Sequence, residues 1–255
     1  MTEIIFNGEA GRLEGRYHQN ANPQAPIALI LHPHPHYGGT MNNKVVYAMF
    51  NCFEKLGFSV LRFNFRGVGR SQGEFSDGEG ELADATAALD WLQANNPEAK
   101  QCWIAGYSFG SWIGLHLLMR RPDINNFIAL SPPANDKDFT FLAPCPTNGL
   151  IIQGGKDDIV QPSTVAAMAK RLNTQKNISV DYALIEDADH KYDGYLVDLF
   201  KICANYIIGA AKQKSPQKKR RGRRKKLEML EERQRLAQEQ TEDSFIDDED
   251  NDAEE

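Results

Sequence analysis

The chain has 255 residues, of which 41% are hydrophobic and 25% charged, and 29 Lys and Arg against 35 Asp and Glu give a formal net charge of −6. This composition is typical of a globular protein. The longest unbroken aliphatic stretch, Ile27–Leu31, has five residues, whereas a membrane-spanning helix needs about 20. The sequence therefore predicts no transmembrane helix, and no association with a membrane is expected.

The N-terminus carries an acidic residue, Glu3, where a signal peptide has a basic stretch, and no apolar segment follows it. The sequence therefore predicts a cytoplasmic protein. The four cysteines are scattered with no CxxC spacing, which predicts buried reduced thiols rather than a zinc or redox site. They are Cys52, Cys102, Cys145 and Cys203.

Residues 1–212 alternate short β-rich apolar runs with stretches of helical spacing. Residues 4–17, with Gly11 between two β-like arms, predict a β-hairpin at the sheet edge. Predicted strands follow at 27–31, 59–63, 102–105, 127–130, 150–153 and 179–185, and predicted helices near 43–55, 82–92, 109–120, 164–172 and 194–211. The strand runs are continuously apolar, as expected for a parallel sheet covered on both faces. The pattern predicts one α/β domain over residues 1–212.

Residues 213–255 differ sharply in composition from the rest of the chain. The stretch 214–226 holds nine basic residues and no acid, and 242–255 holds nine acids and no base. With few aromatic or β-branched residues, this tail cannot bury enough apolar area to offset the entropy of ordering it, so disorder is predicted. The run from Lys218 to Lys226 is dense enough to contact a polyanion such as RNA. A solvated extension, neutralised by the acidic end, is the alternative, and both remain open.

Three residues with catalytic chemistry follow three predicted strands. Ser108 lies in a Gly-x-Ser-x-Gly pattern between the strand at 102–105 and a helix, where small flanking residues let the backbone turn sharply. Asp157 and His190 come after the last two predicted strands. The carboxyl ends of parallel strands meet at one edge of the sheet. A serine hydroxyl needs a base to become a nucleophile, and a neutral imidazole can serve near pH 7.

With this order of Ser, Asp and His, a His-Pro-His-Pro loop at 32–35 and an Arg-Gly-Val-Gly-Arg-Ser stretch at 66–71, the chain resembles the α/β-hydrolase superfamily over about residues 4–211. It looks most like the small lidless bacterial serine hydrolases related to dienelactone hydrolase. The resemblance implies an α/β-hydrolase fold, a mostly parallel central sheet with helices on both faces, no cap domain and no cofactor. It also implies Ser108 as nucleophile, His190 as general base and then acid, and Asp157 as the group that orients the imidazole.

Other carboxylates also lie near the predicted site. Asp158 adjoins Asp157, and Asp187 and Asp189 precede His190. Asp157 is favoured because the pattern Asp-x-Ile-Val aligns it with the acid of the family motif.

The family fold supplies an oxyanion hole from the backbone N–H of the residue after the nucleophile, here Phe109, and from the loop at 31–39. The prolines of that loop have no N–H. His34 is the favoured loop donor, and Tyr37 is the alternative.

The alternating histidines of the same loop also suggest a metal site. His32, His34 and His36 would present three imidazoles on one side of an extended chain. No further ligands from elsewhere are indicated, and the intervening prolines suit an oxyanion loop, so no metal is predicted.

The stretch at 66–71 and two further histidines are predicted to have no catalytic role. The stretch at 66–71 lacks the Gly-Lys-Ser/Thr end of a phosphate loop, so Arg66 is expected in a hydrogen-bond network. His116 and His18 are expected to be packing or surface histidines.

The connection at 132–148 is too short for a folded cap, which predicts an open site. Its apolar side chains could form a wall of the site or simply pack against the protein; they are Phe139, Phe141 and Leu142.

The predicted function is a serine hydrolase that cleaves small esters, with a small-molecule acyl substrate and an acyl-enzyme intermediate. Thioesters or peptide N-termini are alternative substrates for the same triad. A different interpretation is a hydrolase-fold binding module that the basic tail tethers to RNA or another polyanion. No pattern in the sequence predicts an oligomeric state.

Overall fold

The structure, a computed structural model, describes residues 1–212. The predicted tail at 213–255, with its basic and acidic runs, lies outside the described residues. Within the described part the strands are β1 Thr2–Gly8, β2 Gly11–His18, β3 Ile27–Leu31, β4 Ser59–Phe63, β5 Cys102–Tyr107, β6 Ile124–Leu130, β7 Gly149–Gly154 and β8 Val180–Ile185. The helices are α1 Lys44–Lys55, α2 Glu79–Ala94, α3 Phe109–Arg120, α4 Pro162–Leu172 and α5 Leu196–Lys212, with a 3-10 turn at Pro35–Tyr37.

All eight strands form one sheet in the order β1-β2-β4-β3-β5-β6-β7-β8. Strand β2 pairs antiparallel with both β1 and β4, while the remaining neighbours pair parallel. The predicted N-terminal hairpin is therefore confirmed as the outer part of the sheet. The mostly parallel α/β architecture is confirmed as well, and it places the carboxyl ends of β3, β5, β7 and β8 along one edge.

The core lies in two layers, one on each face of the sheet. Helices α2, α3 and α4 cover one face, and α1 and α5 cover the other. Strand β3 is buried at every position and alternates between the layers, with Leu29 in the first and Ile30 in the second. This double covering is the reason for the continuous apolar pattern of the strand.

The four cysteines are buried free thiols, as predicted. Burial raises the pKa of each thiol above its ordinary value, which keeps the sulfur protonated and unreactive.

The connection from β6 to β7 holds no helix or strand and packs against the body of the protein. Phe139 and Leu142 are buried, and the ring of Phe141 stacks on His116 with 3.7 Å between the ring centroids. These side chains therefore pack the connection down, which settles the alternative left open by the sequence, and no cap domain occurs in residues 1–212. Among the same residues, no helix is both long and apolar enough to cross a bilayer.

Candidate active site

Ser108 occupies a sharp turn between β5 and α3. Its φ of 53° and ψ of −119° lie in a region that L-residues rarely adopt, and it forms the N-cap of α3. A side chain on Gly106 would collide with the carbonyl of Gly110, and a Cβ on Gly110 would lie 2.5 Å from the carbonyl oxygens of Leu31 and His32. Both glycines are therefore needed to bring the serine turn against the end of β3.

Asp157 and His190 form a hydrogen-bonded pair at the carboxyl ends of β7 and β8. His190 Nδ1 lies 2.8 Å from Asp157 Oδ2, and both residues are buried, with 6% and 8% of their surface exposed. The other carboxylate oxygen, Oδ1, accepts hydrogen bonds from the amides of Ile159 and Val160 at 3.0 and 2.8 Å. Burial works to raise the pKa of Asp157, but the hydrogen bonds from His190 and these amides outweigh it and lower that pKa.

The neighbouring carboxylates have other partners or face solvent. Asp187 forms an ion pair with Lys156 at 2.7 Å, and Asp189 Oδ1 accepts from the amide of Asp193. Asp158 is exposed. Only Asp157 has a hydrogen bond to the His190 ring among the described residues.

Tyr107, the last residue of β5, links the serine turn to the histidine loop. Its hydroxyl donates to the backbone carbonyl of His190 at 2.6 Å, and its ring lies 5.3 Å from the imidazole. Burial, followed by the negative charges of Asp157 and Asp189, raises the pKa of Tyr107, so the phenol keeps the proton that it donates. No pattern in the sequence around Tyr107 indicates this role, because the contact joins positions 83 residues apart.

The loop after β3 folds back on itself and approaches Phe109. The carbonyl of His34 accepts hydrogen bonds from the amides of Tyr37 and Gly39 at 3.1 and 3.0 Å, and its Nδ1 accepts from the amide of His36 at 3.2 Å. The His34 ring lies 4.9 Å from the ring of Phe109. In the described residues, the backbone N–H of His34 has no hydrogen-bond partner.

His34 is held as a neutral imidazole. Partial burial, with the charges of His36 and Lys137, lowers the pKa of His34. This lowering agrees with the role of its Nδ1 as an acceptor.

His32 is completely buried and both of its ring nitrogens are occupied. Nδ1 donates to the carbonyl of Pro33 at 2.6 Å, and Nε2 accepts from the amide of Phe65 at 3.0 Å. Burial lowers the pKa of His32 to about 4. The alternating-histidine metal interpretation is wrong, because the 3-10 turn at Pro35–Tyr37 breaks the extended chain and His32 has no free nitrogen. Within residues 1–212, no cluster of three His, Cys, Asp or Glu could hold a metal ion.

Aromatic rings form one side of the site beyond the serine turn. The ring of Phe75 is half-buried, and its centroid lies 4.9 Å from that of His34 and 5.9 Å from that of Phe109. On the next turn of α3, the ring centroid of Trp112 lies 5.8 Å from that of Phe109. His116 packs edge-on against Trp112 at 4.9 Å, so its prediction as a packing histidine is confirmed. These rings form an aromatic cluster around Phe109, the residue after Ser108.

The glycine-containing loop after β4 is structural, as predicted. The Arg66 guanidinium makes a bidentate contact with the buried Asp84 of α2, with Nη2 2.8 Å from Oδ1 and Nε 3.0 Å from Oδ2. The Arg66 amide also donates to Asp84. His18, the other histidine predicted to be structural, contacts Glu54 at 3.0 Å.

Comparisons with known proteins agree with this geometry. A family model described as the alpha/beta hydrolase fold matches residues 35–146. An uncharacterized protein of Rickettsia prowazekii is 52% identical over 212 residues, which are 82% of this chain and 89% of that protein. A putative α/β-hydrolase from Agrobacterium tumefaciens has a solved structure with a TM-score of 0.79 and 53% identity, covering 81% of this chain and 94% of that one.

A third protein shares the uncapped architecture. It is a Xanthomonas campestris α/β serine hydrolase without a lid, whose structure has a TM-score of 0.71 and 31% identity over 80% of this chain and 92% of its own. The chain therefore belongs to the α/β-hydrolase family and is a hydrolase.

Proposed function

We propose that the protein is a serine hydrolase that cleaves small esters through Ser108, His190 and Asp157. The observation that carries this proposal is the 2.8 Å hydrogen bond between His190 and Asp157, and the strained turn at Ser108 supports it. Strained backbone of this kind is concentrated at active sites, where it helps to hold a catalytic group in position.

The proposed reaction begins with the hydrogen bond at His190 Nδ1. Because this nitrogen donates to Asp157, the opposite nitrogen Nε2 is free to accept the proton of Ser108 Oγ. The Oγ then bonds to the ester carbonyl carbon, and the leaving alkoxide takes the proton from His190. Water repeats the sequence on the acyl-enzyme, with its proton passing to His190 and then to Ser108. The net products are a carboxylic acid and an alcohol.

The proposed oxyanion hole consists of the backbone N–H groups of Phe109 and His34. Phe109 is the first residue of α3, so its N–H has no partner within the helix. The N–H of Tyr37 already donates to the carbonyl of His34, which supports His34 over Tyr37 as the loop donor. One such donor contributes roughly 10²–10³ in turnover.

The uncapped fold and the aromatic rings around Phe109 support small esters as substrates. The connection between β6 and β7 holds no helix or strand that could form a folded lid, and the ring centroids of Phe75 and Trp112 lie 5.9 and 5.8 Å from that of Phe109, the residue after Ser108. Thioesters, and peptides cleaved at the N-terminus, would acylate Ser108 by the same steps, with a thiol or an amine as the leaving group. A panel of short esters, thioesters and aminoacyl amides at equal concentration separates these classes by kcat/KM.

The first test is the intact mass of the protein after treatment with a fluorophosphonate. One adduct is expected on wild type and on the control Ser163→Ala, which removes an exposed serine of α4, and none on Ser108→Ala. Ser108→Ala and His190→Ala should each lower turnover on the order of 10⁶. An adduct on Ser108→Ala, or no adduct on folded wild type, would contradict the proposal.

A second proposed activity concerns the basic run from Lys218 to Lys226, in the tail that follows the proposed hydrolase domain at residues 1–212. The observation that favours this activity is the composition of residues 214–226, which include nine basic residues and no acid. Polyanion binding through such a run weakens steeply with salt. A gel shift of single-stranded RNA is expected at about 50 mM salt, and it should vanish at high salt or after truncation behind Lys212. Without a shift at low salt, this second activity is rejected.

A further inference from the structure

Gln153 ends the apolar part of β7 with a polar side chain that is completely buried. Its amide nitrogen Nε2 lies 2.9 Å from Asp157 Oδ2, the same oxygen that accepts from His190 Nδ1. The nitrogen also lies 3.2 Å from the carbonyl oxygen of Gly154 and 3.1 Å from that of Val160. The amide oxygen Oε1 is buried and has no hydrogen-bond partner among the described residues.

The surroundings fix which end of the amide faces Asp157. Three oxygen acceptors surround the position of Nε2, and an amide NH₂ group has two hydrogens to donate. A reversed amide would bring Oε1 against the same three oxygens, which repel it. Gln153 is therefore a donor to the Asp157 carboxylate.

Packing alone does not account for an amide at this place. An unsatisfied buried acceptor such as Oε1 lowers stability, whereas Met would fill a similar volume without a polar atom. The hydrogen bond from Nε2 to Asp157 is the interaction that only the glutamine supplies.

We propose that Gln153 is a positioning residue that acts through Asp157. Its N–H holds Oδ2 in the direction of the His190 ring, while the amides of Ile159 and Val160 hold Oδ1. The carboxylate is then fixed at both oxygens, and the imidazole is fixed in the tautomer with the proton on Nδ1. This inference rests on the proposed function of Ser108, His190 and Asp157.

A double-mutant cycle with Asp157 tests this role. Gln153→Met should lower kcat/KM for a short p-nitrophenyl ester by about 10- to 100-fold, the range for loss of a hydrogen bond to a charged group. If Gln153 acts through Asp157, the combined variant Gln153→Met and Asp157→Asn should be no slower than Asp157→Asn alone. Two independent, multiplying losses would overturn the proposal.

Gln175→Met is the matched control. The Gln175 side chain also bridges backbone groups, accepting from the amide of Cys145 and donating to the carbonyl of Leu142 at 2.7 Å each, but it contacts none of the three reacting residues. Its loss should lower the melting temperature and leave kcat/KM unchanged.

The pH profile provides a readout that a merely structural residue would not move. Gln153→Met removes the N–H that Asp157 Oδ2 accepts, which leaves more negative charge on the oxygen that faces His190 Nδ1 and stabilises the protonated imidazole. The acidic limb of kcat/KM should therefore move to higher pH. The other titratable groups around the pair, Tyr107, Asp189 and Tyr192, are unchanged in this variant.

The outcomes separate this inference from the proposed function. If wild type fails to react with the fluorophosphonate, the proposed function fails. If wild type reacts but Gln153→Met keeps the wild-type kcat/KM, or keeps the wild-type acidic limb, the role of Gln153 alone is rejected. Thermal unfolding of each variant establishes that it is folded before its kinetics are compared.

Discussion

At the scale of single residues, the hydrogen-bond partners of a histidine determine whether its ring can accept a proton. His32 has a hydrogen bond at both nitrogens and no exposed surface, so it joins the end of β3 to Phe65. His190 has its Nδ1 on Asp157 and retains a small exposed fraction. The residue type is the same, yet of these two histidines only His190 keeps a ring nitrogen, Nε2, without a hydrogen-bond partner in the described part of the chain.

The burial of His32 makes the stability of the protein depend on pH. Its pKa is lowered from 6.5 to about 4 in the folded state, so between these values the unfolded chain binds a proton that the folded chain does not. The contribution to the free energy of unfolding is fully present above pH 6.5 and falls by about 3 kcal/mol as the pH drops to 4.

The variant His32→Gln should remove this part of the pH dependence, since an amide does not titrate and can still accept from Phe65 and donate to Pro33. Urea unfolding at several pH values between about 4.5 and 7.5 measures the difference. Parallel stability curves for wild type and His32→Gln would contradict the expectation.

Gly110 lies where the serine turn meets the end of β3, and a methyl group there has no space. Gly110→Ala should lower the free energy of unfolding by roughly 1–3 kcal/mol, because the 2.5 Å contacts are to backbone carbonyls that cannot rotate away. It should also slow labelling of Ser108 by the fluorophosphonate.

Gly209→Ala is the control for Gly110→Ala, because a Cβ at this α5 position meets nothing within 4 Å. That variant should stabilise the protein by about 0.5–1 kcal/mol. Equal effects of the two alanine substitutions in thermal and urea unfolding would rule out the steric explanation.

At the scale of helices and strands, the sequence predicts elements best where burial is uniform. The predictions for β3, β4 and α3 match the observed bounds, because each is a run of apolar residues ended by a clear turn signal. Strand β6 begins three residues before its predicted start, since the polar pair Asn125 and Asn126 interrupts the apolar pattern near the amino end of the strand.

Helix α2 also begins before its predicted start. Glu81 accepts from the amides of Ser76 and Gly78, which stabilises a first turn with no apolar spacing.

The candidate site was predictable where its residues follow strands, and unpredictable where a role depends on contacts distant in sequence. Asp157 and His190 follow β7 and β8, so topology alone brings them to one edge. The contact of Tyr107 with His190 has no local signature. Gln153 had one: it is an amide at the end of an otherwise apolar run, four residues before Asp157.

The pair of Arg66 and Asp84 joins the loop after β4 to α2, with the Asp84 side chain fully buried. Asp84→Leu should lower the free energy of unfolding by about 3–5 kcal/mol, because it leaves the arginine charge buried without its partner. Combining it with Arg66→Met should recover much of the loss. Urea unfolding of the two single variants and the double variant measures this, and purely additive losses would refute the coupling.

At the scale of the whole molecule, the described residues contain both layers of the core. Among residues 1–212, the last core residue is Ile207 of α5, which packs in the layer with α1. Removal of residues 213–255 should therefore leave the free energy of unfolding within about 0.5 kcal/mol of the full chain, and kcat/KM unchanged. Thermal and urea unfolding of the truncated protein test this, and a larger loss would mean that the tail contributes to the core.

The packed connection between β6 and β7 has a consequence for how the enzyme would meet its substrate. A lid that opens and closes in each turnover can limit the rate, and one that opened at the surface of a substrate aggregate would make the rate jump where micelles form. Here Phe139 and Leu142 are anchored in the core, and in the part of the chain that the structure describes no helix or strand between β6 and β7 could move as a folded lid. The rate should rise smoothly with substrate concentration, without a jump at the point where micelles form. Discrimination among substrates would then depend on their fit to a preformed site and not on a conformational closure around them.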